Sequence, residues 1–141
     1  MTFKHIIVLN LVAIIGLFLS SIAMANIFQQ SAFKHRILIV TSDEDLTLSA
    51  IKQSLVRSRE KLDERKLVVI SKKSSTAEVI WGDAAINSML DNQSIQRRLE
   101  NHKAVLIGLD GGTKAVYDSF DLTQVFADID GMPMRKFELS L

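Results

Sequence analysis

Three consecutive carboxylates are the residues of this chain whose types and spacing most suit chemistry. Asp43, Glu44 and Asp45 come directly after an apolar run, and a histidine, His102, precedes another. Carboxylates bind hard cations, and a carboxylate near a histidine can take part in general acid–base catalysis. The acids also suit the first turn of a helix, where Ser42 and Asp45 have the spacing of a capping box. Asp43, Asp45 and His102 are therefore candidate interaction residues, and helix capping is the alternative for the acids.

A second candidate lies near the C terminus, in the string Met132-Pro133-Met134-Arg135. One interpretation is a structural lock. In it the methionines fill gaps against the core, and Arg135 caps helix carbonyls or pairs with an acid such as Asp130. The other is a partner-binding or ligand-binding edge, in which Arg135 contacts an anion. The sequence leaves both interpretations open.

The composition excludes several chemistries. The chain has no cysteine, so it can form no thiolate nucleophile, disulfide or thiol metal site. Ser42 has no histidine near it in the sequence and no nucleophile-elbow glycines, which disfavours serine hydrolase chemistry. The string 128–131 has part of a calcium-loop pattern, but the first and last ligand positions of that frame fall on Phe126 and Phe137. We expect no cofactor and no metal.

The elements that must position these residues follow the order β-α-β-α-β-β-α. Apolar and β-branched runs predict strands at residues 36–41, 66–71, 104–109 and 114–118. Apolar residues at helical spacing predict helices at residues 44–63, 94–101 and 121–130. Gly131 ends the last helix and Pro133 prevents its continuation. This order predicts an α/β, thioredoxin-like fold, with a central sheet of about four strands and flanking helices.

The N-terminal 25 residues have the three parts of a secretory signal peptide. Lys4 gives a positive head, residues 6–25 form an uncharged apolar segment, and Ala23-Met24-Ala25 is a small-residue cleavage pattern. We therefore expect cleavage near Ala25, a single domain over residues 26–141, and a periplasmic or secreted location. The alternative is an inner-membrane anchor formed by residues 6–25.

The charge balance indicates the class of partner. The whole chain has 17 Lys and Arg against 16 Asp and Glu, and removal of Lys4 with the signal peptide leaves 16 of each. A neutral domain lacks the basic surface typical of a nucleic-acid binder. We expect a protein or peptide partner, no nucleic acid, and membrane contact only through the N-terminal segment.

Three strings resemble the DUDES-type domain family. They are R-I-L-I-V-T at residues 36–41, V-L-I-G-L-D-G-G-T-K at 105–114 and I-D-G-M-P-M-R at 129–135. That family occurs in small exported bacterial proteins and in animal matrix proteins with sushi repeats. The resemblance implies a thioredoxin-like or peroxiredoxin-like fold and no established activity.

The redox site of such folds is missing from this sequence. Thioredoxin-like enzymes place a reactive cysteine at the start of the first helix and a cis-proline before the third strand. This chain has Ser42-Asp43 and His102-Lys103 at those places. We therefore expect an exported, non-catalytic thioredoxin-like module that binds a protein or peptide partner. The alternative is a cysteine-independent enzyme or small-ligand binder that uses Asp43, Asp45 and His102.

Overall fold

The computed structural model describes Phe28, residues 34–43 and residues 45–141, with the backbone alone at Asp45 and Leu46. The predicted signal peptide (residues 1–25) and the alternative anchor (residues 6–25) lie outside these residues. No helix in the described part of the chain is long and apolar enough to cross a membrane.

A five-stranded mixed sheet forms the centre of the fold. Its strands are β1 (Arg36–Thr41), β2 (Leu67–Lys73), β3 (Thr76–Trp81), β4 (Ala104–Ile107) and β5 (Thr113–Tyr117). They lie in the order β3-β2-β1-β4-β5. The pair β1–β2 is parallel, and the other neighbouring pairs are antiparallel. β1 is thus the central strand, as its continuous apolar run predicts.

Helices cover both faces of the sheet. They are α1 (Asp45–Arg57), α2 (Arg59–Glu64), α3 (Asn92–Leu99), α4 (Leu122–Gly131), α5 (Pro133–Glu138) and a 3₁₀ helix (Ala84–Met89). Because side chains alternate along a strand, Leu38 and Val40 of β1 pack with α1, α2 and α4 on one face. Ile37 and Ile39 pack with Phe28, α3 and the 3₁₀ helix on the other. The result is an α/β fold with a core on each side of the sheet.

The sheet has one strand more than the four predicted. The additional strand, β3, lies at an edge and pairs only with β2. Its side chains are exposed or half-buried along its whole length. An edge strand with little burial needs no continuous apolar run, so its sequence lacks the signal that predicts the central strands.

The helix predicted over residues 44–63 is two helices. The interruption falls at Ser58, whose N–H is hydrogen-bonded to the carbonyls of both Ser54 and Leu55. Leu62 of α2 remains fully buried, so the apolar positions that predict one long helix still face the core. The helical spacing of apolar residues predicts correctly which side of the helix is buried, but it does not indicate where the helix is interrupted.

Pro133 begins a helix rather than closing the structured chain. α4 ends at Gly131 as predicted, and Met132 has an extended backbone (φ −70°, ψ 139°) before α5 starts. Proline disfavours a helical conformation at the preceding residue but suits the first turn of a new helix. The prediction of a stop was therefore correct for α4, and α5 was missed.

Candidate functional site

The carboxyl end of β1 is a junction of several backbone segments. The amide and hydroxyl of Thr41 donate to the carbonyl of Lys103, at 2.9 and 3.2 Å. The amide of Ser42 donates to the backbone carbonyl of Lys72 at 3.0 Å, and the amide of Lys103 donates to the backbone carbonyl of Tyr117 at 2.8 Å. These bonds connect the chain on both sides of β1 and fix the place where α1 begins.

Ser42 shows why the sequence folds this way locally. Its buried hydroxyl shares a hydrogen bond with the hydroxyl of Ser71, which is also buried. Two buried hydroxyls satisfy each other and hold the ends of β1 and β2 together. α1 begins at Asp45, close to the predicted start at residue 44, while Glu44 and the side chain of Asp45 lie outside the described residues. Ser42 lies three residues before the helix and its hydroxyl bonds Ser71, which does not fit the predicted Ser42–Asp45 capping box.

An open groove begins at this junction and continues between the helices, and we call it the helix groove. Its mouth, of about 330 Å³, is lined by residues that include Asp43 and Lys103. Its body, of about 700 Å³, lies between α1 and α2 on one side and α4 on the other. Thr47, Ile51 and Phe120 line both parts, so the mouth and the body are adjacent.

The helix groove combines an apolar floor with hydroxyl-bearing walls. The floor includes Leu122 and Phe126, which are largely buried. The walls include Thr47, Ser54 and Thr123. Hydroxyls both donate and accept hydrogen bonds, and apolar surface binds apolar side chains. This combination suits a polypeptide segment, which presents amides, carbonyls and side chains together.

A rigid ion pair lies at the far end of the helix groove. Arg65 donates from Nη2 to Asp130 Oδ2 at 2.6 Å and from Nε to Oδ1 at 3.0 Å. Its guanidinium lies 4.9 Å from the ring centroid of Phe126. The hydrogen bond from Arg65 holds the pKa of Asp130 below its usual value. The bidentate pair and the ring contact fix this end of the groove.

The predicted residues Asp43 and His102 both lie at the carboxyl end of β1. Asp43 is exposed and lines the groove mouth. The ring nitrogen Nδ1 of His102 lies 3.3 Å from Asp118 Oδ1, and His102 is not among the residues that line the groove. Within the part of the chain that the structure describes, no three His, Asp or Glu side chains are placed to hold a metal ion.

The other predicted candidates lie at the opposite, amino end of β1. Arg135 is buried, donates to the carbonyl of Glu64 at 2.9 Å, and lies 3.5 Å from Asp130 Oδ1. These are the carbonyl and acid contacts of the lock interpretation. Met132, Pro133 and Met134 line a separate small pocket. The sequence candidates therefore divide between the two ends of one strand.

The comparison with known families identifies the domain. Residues 27–138 match the family described as a domain of unknown function, DUF4174. The chain belongs to that family. No curated protein matches it, and no solved structure does. The DUF4174 domain contains every strand and helix described above, so both ends of β1 belong to it.

Sequence reasoning missed several residues that shape this DUF4174 domain. Arg36 is fully buried at the start of β1, and Glu138 pairs with it. A charge at the head of an apolar strand was the available signal, because a buried arginine requires a partner. No comparable signal marks Lys103 and Phe120. They reach the groove mouth through contacts far apart in the sequence.

Proposed function

We propose that this DUF4174 domain is an exported, non-catalytic, thioredoxin-like module that binds an extended segment of a protein or peptide in the helix groove. The observation that carries the proposal is that the two cavities of the helix groove are adjacent. Together they extend from Asp43 and Lys103 at the mouth to the Arg65–Asp130 pair. Its apolar floor and hydroxyl walls match the chemistry of a polypeptide better than that of a compact polar ligand.

The strand pairing supports the thioredoxin-like part of the proposal. β1 and β2 form a parallel unit joined by α1 and α2, and β4 and β5 form an antiparallel hairpin followed by α4. This order and pairing are what we expect of a minimal thioredoxin arrangement to which β3 is added at one edge. The resemblance to the DUDES-type family favours the same fold.

The lack of cysteine supports a binding role over a redox role. In thioredoxin-like enzymes the reactive thiol lies at the start of the first helix, where Asp43 occurs in this chain. Asp43 and Lys103 leave the groove mouth polar and accessible. A vacant redox site on such a scaffold leaves a surface that can recognise a polypeptide.

The N-terminal sequence supports export. Lys4, the apolar segment 6–25 and Ala23-Met24-Ala25 fit a cleavable signal peptide, which directs the domain to the periplasm or the medium. The mass of the mature N terminus tests this directly. A form that begins at Asn26 supports export with cleavage, and a form that retains residues 6–25 favours the membrane anchor.

Peptide binding to the groove can be tested without knowing the natural partner. Peptides selected from a random display library against the purified protein are titrated into an isotope-labelled sample. We expect amide shifts at Thr47, Ser119 and Thr123. Thr47→Trp fills the groove and should weaken binding at least tenfold, a cost of about 1.4 kcal/mol. Gln53→Trp, on the exposed side of α1, is the matched control and should bind normally.

The alternative function is tested by a triple substitution. Asp43→Asn, Asp45→Asn and His102→Ala together should leave the protein folded and able to bind the selected peptides. If the native protein turns over any substrate, loss of that turnover in the folded triple variant would instead favour a cysteine-independent enzyme. His102 is not among the residues that line the groove, which weighs against a catalytic group in the groove that includes it.

A further inference from the structure

The last helix of the domain, α5, carries its charged and apolar side chains in the reverse of the usual arrangement. Arg135 is buried, and Glu138 is largely shielded by its ion pairs with the rest of the fold. Phe137 is 65% exposed, and Met134 is exposed as well. A surface helix of a globular protein normally places its apolar side chains toward the core. The reversed arrangement leaves an apolar surface that the described part of the domain does not cover.

The exposed apolar side chains of the domain are concentrated at this helix. Six large apolar side chains are exposed among the described residues, and four of them lie between positions 134 and 141. They are Met134, Phe137, Leu139 and Leu141, which we call the C-terminal apolar patch. Met134, Phe137 and Leu141 have the three- and four-residue spacing of one side of a helix. The amide of Leu139 donates to the carbonyl of Arg135, which continues the helical bonding beyond Glu138.

The charges around α5 are mostly positive. The ion pairs that connect α5 and α4 to the start of β1 contain four cations and three carboxylates. These are Arg36, Arg65, Lys66 and Arg135 with Glu64, Asp130 and Glu138. Lys136, which is exposed on α5, adds a fifth cation. Lys114 and Asp110, which line a pocket together with Met134, are paired with each other. The apolar patch therefore lies in a region of net positive charge.

The size and the charge of the patch both disfavour a second copy of the chain as its occupant. At about 150–200 Å² for a fully exposed large side chain, the exposed fractions of the four side chains amount to roughly 400–500 Å². A stable interface buries about 800 Å² on each partner. Two copies that met at this patch would also bring like charges together, which is unfavourable.

An anionic lipid surface matches both properties of the patch. Apolar side chains enter the boundary between headgroups and acyl chains, and neighbouring lysines and arginines are attracted to anionic headgroups. The patch also lies at the end of the sheet where the N-terminal segment joins it, because Arg36 of β1 contacts Glu138 of α5. Residues 26–35 connect the apolar segment 6–25 to β1 and span at most about 35 Å.

We infer that the C-terminal apolar patch binds an anionic lipid surface, with Phe137 and Leu141 in the interface and Lys136 at the level of the headgroups. Membrane contact is then not restricted to the N-terminal segment, as the sequence leads us to expect. Arg135 keeps its contacts with Glu64 and Asp130, while Met134 belongs to the binding surface. The inference is independent of polypeptide binding in the helix groove, whose mouth lies at the opposite end of β1.

The test uses the lack of cysteine in the chain, which allows one introduced cysteine to carry a nitroxide label. The label is placed at Leu141→Cys, and Val56→Cys, 67% exposed on α1, is the matched control position. The full-length protein is mixed with phosphatidylcholine vesicles that contain about 30% phosphatidylglycerol. Electron paramagnetic resonance compares collisions of the label with oxygen, which enters lipid, and with a polar nickel complex, which does not. We expect lipid contact at position 141 and water at position 56.

Lipid composition and further substitutions separate the contributions of charge and apolar surface. Vesicles of phosphatidylcholine alone should lower the apparent affinity, read from the label at position 141, at least fivefold. Phe137→Ser, added to the labelled protein, should lower it by a similar factor, because it removes the largest apolar side chain of the patch. Val56→Ser removes an equally exposed apolar side chain elsewhere and should leave it unchanged. Urea unfolding establishes that each variant is folded.

Several results would overturn the inference. They are an aqueous label at position 141, equal lipid contact at positions 56 and 141, equal binding to neutral vesicles, and unchanged binding of Phe137→Ser. Concentration-dependent coupling between labels at position 141 without vesicles would assign the patch to a second copy. Capture of a discrete polypeptide by a photoreactive residue at Leu139 in cells would assign it to a protein partner. Peptide binding in the helix groove can succeed or fail without altering any of these results.

Discussion

The two ends of β1 differ in whether their charged side chains are buried. At the amino end, Arg36 is buried and Glu138 is largely shielded, and their ion pair joins α5 to the start of the strand. At the carboxyl end, Asp43 and Lys103 are exposed, and the backbone makes the connections. The difference indicates that ion pairs at the amino end hold helices to the sheet, while the carboxyl end leaves Asp43 and Lys103 exposed to solvent.

The pKa values follow the same division. Partial burial opposes ionisation of Glu138, but hydrogen bonds and charge from Lys66 and Arg36 outweigh it and lower its pKa. Near the carboxyl end, burial raises the pKa of Tyr117, and its hydrogen bond to Asp128 adds to the effect. Ionised side chains therefore stabilise the amino end, and the carboxyl end relies on a neutral phenol and on backbone bonds.

The largest expected effect is at the amino end. Glu138→Ala leaves the buried guanidinium of Arg36 without its charge partner and should lower the free energy of unfolding by about 3–5 kcal/mol. Urea unfolding followed by circular dichroism measures it. Glu64→Ala is the control, because Glu64 is exposed and should change stability by less than about 0.5 kcal/mol. Equal effects of the two substitutions would break the comparison.

The second-largest effect is expected from acid, which should destabilise the ion pairs at the amino end. Asp130 and Glu138 have lowered pKa values in the folded protein, against ordinary values of 3.8 and 4.5. Their contribution is fully present above those ordinary values and is lost as the pH falls through the lowered folded values. Urea midpoints measured from neutral pH into this acid range should fall more steeply for the native protein than for the double variant Asp130→Asn, Glu138→Gln. If the urea midpoints of the native protein and the double variant fall in parallel with pH, Asp130 and Glu138 are not the groups responsible.

A part-buried hydrogen bond near the carboxyl end gives a smaller effect on stability. Tyr117→Phe removes the hydroxyl that donates to Asp128 Oδ2 at 2.8 Å. We expect a loss of about 1 kcal/mol in unfolding free energy, the usual net value of one such bond. Asp128→Asn keeps an acceptor and serves as the comparison, with a smaller loss. A larger cost for the asparagine variant would show that the charge, rather than the bond, matters here.

The smallest effect is expected at the groove mouth. Asp43→Asn and Thr47→Ala change exposed side chains and should each alter stability by less than about 0.5 kcal/mol. The same unfolding assay measures both. A loss of several kcal/mol from either would mean that the open end is also structural, and the contrast between the two ends would fail.

The sequence predicts the central elements because their burial is continuous. The apolar run 36–41 becomes the middle strand, and Ile51, Leu55 and Leu62 face the core although their helix is interrupted. β3 was not among the four predicted strands, because an edge strand requires little burial and so needs no continuous apolar run. α5 was not predicted because a short helix after Pro133 has few apolar positions in the sequence. The ion pair of Glu138 with Arg36 and the contacts of Arg135 attach it to the rest of the fold.

The candidate site is less predictable than the fold. Asp43 was found because carboxylates at a helix start are visible in the sequence. Phe120 and Lys103 were not predicted, because the groove forms between segments that are distant in the chain. No local sequence pattern indicates which distant segments come together. The same holds for Arg36 and Glu138, whose contact spans 102 positions.

The most direct test of the central claim is site-specific photo-crosslinking in cells that express the full-length protein. A photoreactive residue at Ser54, on the groove wall, is compared with one at Gln53, on the exposed side of α1. The account predicts a discrete crosslinked polypeptide from Ser54 that is absent from Gln53 and is lost when Thr47→Trp is added. Equal crosslinking from both positions, or none from Ser54 in a folded protein, would contradict it.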